Sequence, residues 1–180
     1  MKKILITGLF ACAMMVALAS DKLFLHGGKI IDGDVVKVDD FKVIYKYTGE
    51  NAEQTIGKKA IEKIQYASGR TEQISDKIVI TSKDDWEKVE ILLDISEIVG
   101  LKKVGEVKGK NFGAFSGARA DKKANRKLLE AAAVMGCPFV YMTADKQTSS
   151  GGGGYGWGGW GGGGTQSLKK GIAYTYVDKE

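Results

Sequence analysis

The stretch RADKKANRKLLEAAAVMGCPFVYMT, residues 119–143, carries the clearest structural signal in the chain. Its apolar residues recur at steps of three and four and charged residues fill the remaining surface, which is the pattern of an amphipathic helix. Gly136 suits the position after a helix end, and Pro138 prevents the helix from continuing. The apolar run at 139–143 predicts a buried strand. This stretch therefore predicts one helix, at about 119–135, followed directly by a strand.

On both sides of this stretch, short apolar segments predict further strands that surround the helix. These segments are 77–81, 86–93, 100–109 and 171–177. Strands grouped around a single helix are typical of an α+β fold. We therefore predict an α+β domain over residues 77–180, with one helix packed on an antiparallel sheet.

Residues 20–76 predict a different unit, made of short strands and tight turns. Alternation of apolar and polar residues is clearest at 41–48, and a turn of helix is expected at 58–63. Five or six strands in about 55 residues favour a small antiparallel SH3-like or Sm-like β-barrel, because closure removes the exposed edges of a small sheet.

Two resemblances support this division. The segments GGKIIDGDVVKVDDFKVIYKY (27–47) and IGKKAIEKIQYASGRTEQI (56–74) resemble small barrel modules of exported Bacteroidetes proteins. The C-terminal part is similar to small envelope α+β domains, namely the YbjQ-like family and the periplasmic domain of the stress-sensor lipoprotein of the Rcs phosphorelay. The matching positions are Leu101, Val104, Gly105, Glu106, Val107, Gly109, Ala131, Ala132, Gly136, Val140, Gly171, Ala173 and Tyr174. The resemblance implies an α+β fold and a non-enzymatic envelope role, and no functional residue is carried over from it.

The first nineteen residues have the layout of a secretory signal peptide. A basic start is followed by an apolar run at 4–18, and Ala17-Leu18-Ala19 supplies a cleavage site of the A-x-A type. We therefore expect residues 1–19 to be removed and the protein to be exported to the periplasm or cell envelope. Lipid anchoring at Cys12 is not favoured, because bulky Phe10 precedes it and the apolar run continues beyond it.

Composition limits the chemistry available to this chain. The 180 residues include 27 Lys+Arg and 22 Asp+Glu, a net charge of +5, and loss of Lys2 and Lys3 with the signal lowers this to +3. So small an excess gives no reason to expect a nucleic-acid partner. Without Cys12, Cys137 has no disulfide partner, and a buried thiol is expected there. The single histidine, His26, is predicted to lie on the surface beside a turn. We expect no catalytic residues, no metal site and no cofactor.

A glycine-rich segment is the one compositional outlier. Residues 151–164 contain eleven of the 25 glycines, together with Tyr155, Trp157 and Trp160. These three aromatic residues are the candidate contact residues, in a loop predicted at 150–165. Three interpretations remain open: a spacer, a tip that contacts a glycan or a membrane, or rings that fold back on the protein's own sheet.

Taken together, the sequence predicts an exported, non-enzymatic envelope protein that acts by binding, with a role in envelope sensing or maintenance. Its partner would be an envelope protein, a glycan or a lipid surface, and the sequence does not fix the oligomeric state. The alternative is an adhesion module that contacts glycan or membrane through the glycine- and tryptophan-rich loop. The basic side of the predicted helix is interpreted as solvated, with an anionic envelope surface as the alternative.

Overall fold

The helix predicted from sequence forms close to its expected limits. The computed structural model describes residues 20–113, 117–150 and 164–178, and the predicted signal peptide lies outside them. Helix α1 spans Gly117–Val134. It buries one face, which is formed by Ala120, Ala124, Leu128, Leu129, Ala132 and Ala133. Beyond its end, the amide of Gly136 donates to the carbonyl of Ala133 at 2.9 Å.

The N-terminal strands form one antiparallel sheet of six. They are β1 (Asp21–Leu25), β2 (Ile30–Val38), β3 (Lys42–Tyr47), β4 (Glu53–Gly57), β5 (Ile61–Gln65) and β6 (Thr71–Gln73), in the order β4-β3-β2-β1-β5-β6. Its buried core consists of Leu23, Leu25, Ile31, Val43, Tyr45, Ile56, Ala60, Ile61 and Ile64. Asp32-Gly33-Asp34 lies inside β2, and the register between β2 and β3 shifts further on, between Val35 and Lys37.

The strand pairing of this sheet is open, so it does not show the closed SH3-like or Sm-like barrel predicted from sequence. Among the described strands, β4 and β6 form the two edges and do not pair with each other. The sheet is nevertheless strongly curled. Strands β4 and β5 are four strand spacings apart in the sheet order, about 19 Å if the sheet were flat. Only the 3₁₀ turn Lys58–Ala60 connects them, and the four residue steps from Gly57 to Ile61 span at most about 14 Å.

The remaining four strands form the sheet on which the helix packs. They are β7 (Glu90–Leu92), β8 (Leu101–Gly113), β9 (Phe139–Ser150) and β10 (Gly164–Tyr176), in the order β7-β9-β10-β8. The α+β class and the single packed helix are thus confirmed. Three of the strands pair antiparallel as predicted, but β7 runs parallel to β9.

The segment before β7 differs from its prediction. Residues 77–81 form no strand, and the strand expected at 86–93 shrinks to β7 behind the 3₁₀ helix Lys83–Lys88. The 3₁₀ helix has a local cause: the Ser82 hydroxyl accepts from the Asp84 amide and the Asp85 carboxylate accepts from the Ser82 amide, which together form a capping box.

Helix α1 lies unusually close to strand β8. A Cβ built on Gly109 would lie 1.9 Å from the carbonyl oxygen of Ala124 and 2.7 Å from the amide nitrogen of Leu128. Only glycine fits there. On this side of the sheet, Val107, Leu128, Ala132, Val140 and Ala173 share one core. On the other side, a second core of Leu92, Phe139, Tyr174 and Tyr176 covers only the end of the sheet near β7.

The two sheets meet at a junction that contains both hydrogen bonds and apolar contacts. The Gly57 amide donates to the Val99 carbonyl at 2.9 Å, and Leu101 packs against the cores of both sheets. His26 lies here with 8% of its surface exposed, so the prediction of a surface histidine is wrong. Its Nε2 is 2.8 Å from the Ser75 hydroxyl, and its ring centroid is 4.9 Å from that of Tyr176. The division at residues 76 and 77 stays a prediction.

Candidate functional site

Strands β9 and β10 form one long hairpin, which is the frame of the candidate site. Their register runs from Phe139 opposite Tyr174 to Ser150 opposite Gly164. Both strands extend well beyond the predicted 139–143 and 171–177, so the outer residues of the predicted loop 150–165 belong to strands. The candidate contact residues Tyr155, Trp157 and Trp160 lie outside the described residues, in the segment 151–163 that joins the two paired ends.

One side of the hairpin is fixed to helix α1 by a buried lysine. Lys169 on β10 is 5% exposed, and its ammonium group contacts Asp145 of β9 at 2.6 Å and Asp121 of the helix at 3.1 Å. The Ser167 hydroxyl donates to Asp121 at 3.0 Å. Two carboxylates therefore balance one buried cation and hold the hairpin against the helix.

The ionisation of this cluster follows from its contacts. Burial opposes the charge of Lys169, but hydrogen bonds to Asp145 and Asp121 outweigh it and raise the pKa of the lysine. Burial likewise opposes ionisation of Asp121, yet hydrogen bonds from Lys169 and Ser167 hold the pKa of its carboxyl below the usual value. Lys169 and Asp121 are therefore both charged at neutral pH.

The opposite side of the hairpin carries a group of exposed lysines. Successive side chains of a strand point to opposite faces, so Leu168 and Lys170 face away from the helix that Lys169 contacts. The register then places Lys108 of β8 opposite Lys170, and places Lys110 and Lys146 on either side of Leu168. We call Lys108, Lys110, Lys146 and Lys170 the lysine face; all four are exposed.

Almost no negative charge balances the lysine face. Over residues 20–113, 117–150 and 164–178, Lys110, Lys146 and Lys170 form no ion pair, and Lys108 has only exposed Glu106 at 3.9 Å. Lys108 and Lys170 are direct cross-strand neighbours, and like charges in such positions destabilise a sheet. This face keeps an unfavourable arrangement that an anionic partner would relieve.

Apolar side chains lie among these charges. Leu168 is half-buried between Lys110 and Lys146, and Phe112 at the far end of β8 is 63% exposed opposite Gln166. The outer half of the sheet therefore combines ammonium groups with an exposed aromatic ring. The lysine face was missed from sequence, although the alternation Lys108-x-Lys110 at the end of a predicted strand was a signal for it.

His26, Ser75 and Cys137 are placed as structural groups. The Ser75 hydroxyl donates to the carbonyl of Ile61 at 2.7 Å, so it accepts from His26 rather than delivering a proton to the ring. Cys137 is fully buried, as predicted, and burial raises the pKa of its thiol. Within the described ranges, no group of three His, Cys, Asp or Glu side chains is placed to hold a metal ion.

The described helix and the comparisons with known proteins do not indicate a function. In the part of the chain that the structure describes, no helix has the length and apolar character needed to cross a membrane. Comparison with protein-family models and with curated proteins finds no match for this chain.

Proposed function

We propose that this chain is an exported envelope protein that acts by binding rather than by catalysis, and that hairpin β9–β10 is its contact element. The observation that carries the proposal is the lysine face, a set of almost unbalanced charges on this hairpin and the adjacent strand β8, with the hairpin fixed to the helix by Lys169. A rigid element with unbalanced exposed charge suits recognition, because little ordering is required when a partner binds.

Export is the second part of the proposal. It is supported by the signal-peptide pattern of residues 1–19 and by the resemblance to envelope domains. The partner would then be an envelope protein, a glycan or a lipid surface.

The finer proposal of an SH3-like or Sm-like barrel for residues 20–76 is supported by the curl of the sheet and by a core drawn from five strands and the 3₁₀ turn.

The alternative function is adhesion through Tyr155, Trp157 and Trp160. One structural observation favours it: the hairpin stays paired as far as Ser150 and Gly164, so the segment carrying these residues begins at the hairpin end, remote from the core around Phe139. Tryptophan and tyrosine rings supply flat apolar surfaces for sugars or lipid headgroups.

Cell fractionation with N-terminal sequencing tests the proposed function. We expect the protein in the envelope or periplasmic fraction, beginning at Ser20. Intact protein in the cytosol with Met1 retained would contradict export.

The alternative is tested by tryptophan fluorescence on adding cell-wall glycan to wild type and to a Trp157→Ala/Trp160→Ala variant. Trp86 remains as an internal reference, and adhesion through the loop requires a spectral change that the variant loses.

A further inference from the structure

We infer that the lysine face binds the surface of an anionic lipid bilayer. The inference rests on the proposed function, because export brings the chain to a membrane, and it names the partner of the same hairpin. It rests on the different distribution of charge on the two faces of the sheet β7-β9-β10-β8.

The sorting is clearest in the two neighbouring lysines of β10. Lys169 faces the helix, is buried and has two carboxylate partners. Lys170 points the other way, is exposed and lies opposite Lys108. Carboxylates are thus supplied where a lysine needs a partner within the fold and are nearly absent where lysines point outward. The compensating negative charge for the lysine face comes from outside the molecule.

A lipid surface fits the shape and chemistry of this face better than other polyanions. Three adjacent strands, about 4.8 Å apart, place the four ammonium groups over one broad surface, where each interacts with a different headgroup phosphate. A lysine ammonium group attracts phosphate as a point charge, so it does not require the fixed bidentate geometry of an arginine. The aliphatic part of the lysine side chain can also cover apolar surface. Exposed Phe112 and half-buried Leu168 suit the boundary between headgroups and acyl chains.

The basic side of helix α1 is a weaker candidate for the same partner. It lies on the other face of the sheet, so a flat membrane cannot contact both. Its cations are also partly engaged: Arg126 pairs with Glu130 at 2.7 Å and stacks over Trp86, and Lys127 donates to the carbonyl oxygen of Lys110. Exposed Lys122 on this side supplies a control position.

Co-sedimentation with vesicles tests the inference. The probes are vesicles of phosphatidylcholine alone and vesicles in which roughly a third of the lipid is phosphatidylglycerol. The protein is used as the cell produces it, and all variants share the same N-terminus, so any contribution of residues 1–19 cancels. Wild type should bind the anionic vesicles, and binding should fall when salt is raised from about 0.1 M to about 1 M, which shortens the Debye length from about 10 Å to about 3 Å.

The decisive comparison is Lys170→Glu against Lys122→Glu, which change the net charge equally. A juxtamembrane lysine contributes about fivefold to affinity, so reversing the charge at Lys170 should weaken binding at least tenfold. Lys122→Glu should stay within about twofold of wild type. Thermal unfolding checks folding, and Lys170→Glu should be no less stable than wild type, because its new carboxylate lies opposite Lys108.

Several outcomes would overturn the inference. They are absence of binding to anionic vesicles, equal loss in both variants, or loss confined to Lys122→Glu. Binding of a single-stranded oligonucleotide as tight as vesicle binding, and lost in Lys170→Glu, would assign the face to nucleic acid instead. N-terminal sequencing separates the two proposals: a cleaved, exported protein that ignores anionic vesicles leaves the proposed function standing without a lipid partner.

Discussion

Lys169 and Lys170 are adjacent in the sequence and meet opposite environments. The first is buried with Asp121 and Asp145, and the second is exposed on the lysine face. Alternation along β10 separates them, since one step along a strand reverses the direction of the side chain. At the scale of single residues, a lysine therefore stabilises the fold at position 169, and a second lysine at position 170 is exposed to a partner.

The buried cluster predicts an asymmetry between lysine and aspartate substitutions. Replacing both Asp121 and Asp145 by Ala leaves a buried ammonium group without a counter-charge, and should lower the free energy of unfolding by about 3 kcal/mol. Lys169→Met should lower it by less than about 1.5 kcal/mol, because methionine fills the site and both carboxylates, with 33% and 49% of their side chains exposed, remain hydrated. Urea unfolding measures both values, and equal losses would contradict the argument.

Little of this residue-scale arrangement could be predicted from sequence. Lys169 is a charged residue in a polar stretch, and nothing local distinguishes it from Lys170. Its partners lie 48 and 24 positions away, so its burial depends on the hairpin register and on the helix together. The burial of Cys137 could be predicted because it depends on its own apolar neighbours.

At the scale of elements, the contact between α1 and the sheet depends on Gly109. The carbonyl of Ala124 occupies the space where a side chain would stand. The close approach lets small residues of the helix, such as Ala120 and Ala132, be fully buried on the sheet. The contact is one of backbone against backbone, which neither partner can relieve by changing a rotamer.

Gly109→Ala should therefore lower the free energy of unfolding by about 3 kcal/mol, as overpacking in a core does. Gly105→Ala in the same strand is the matched control. Its Cβ would lie 2.7 Å from Cε of Met135, the flexible end of a side chain, so a loss below about 1 kcal/mol is expected. Thermal unfolding of both variants measures the difference, and similar losses would show that the helix can shift.

The elements were predictable where the signal is local. The helix and the short N-terminal strands follow from periodicity, and Gly136 with Pro138 marks the helix end. Strand limits in β9 and β10 were underestimated, because their outer residues, such as Lys146 and Gln147, are polar and pair only because the partner strand is present. The parallel position of β7 could not be predicted, since it depends on a pairing with residues almost fifty positions away.

At the scale of the whole molecule, His26 sits where the two sheets meet. It contacts Ser75 and Tyr176, and its backbone carbonyl accepts from Lys77 at 3.3 Å. Burial lowers the pKa of the ring and nearby Lys77 acts in the same direction, whereas Glu62 and Asp76 oppose them. The neutral form is thus the one that suits the junction.

This lowered pKa predicts weaker stability in acid. The unfolded chain binds the proton more tightly than the native chain, so the contribution of His26 is fully present above pH 6.5 and is lost as the pH falls from 6.5 through the lowered native value. Tm measured between about pH 5 and pH 8 should fall on the acid side in wild type. His26→Gln, which keeps a donor for Ser75 but does not titrate, should flatten that part of the profile; an unchanged slope would contradict the role given to His26.

The central place of β10 has a consequence for how the chain folds. This strand pairs with β8 on one side and β9 on the other, yet it follows both along the chain. Until residues 164–176 have been synthesised, β8 has no strand to pair with in this sheet and β9 can pair only with the three-residue strand β7. An incomplete chain therefore exposes the unpaired edges of two long strands, and a product truncated before residue 164 should aggregate rather than persist as a soluble fragment.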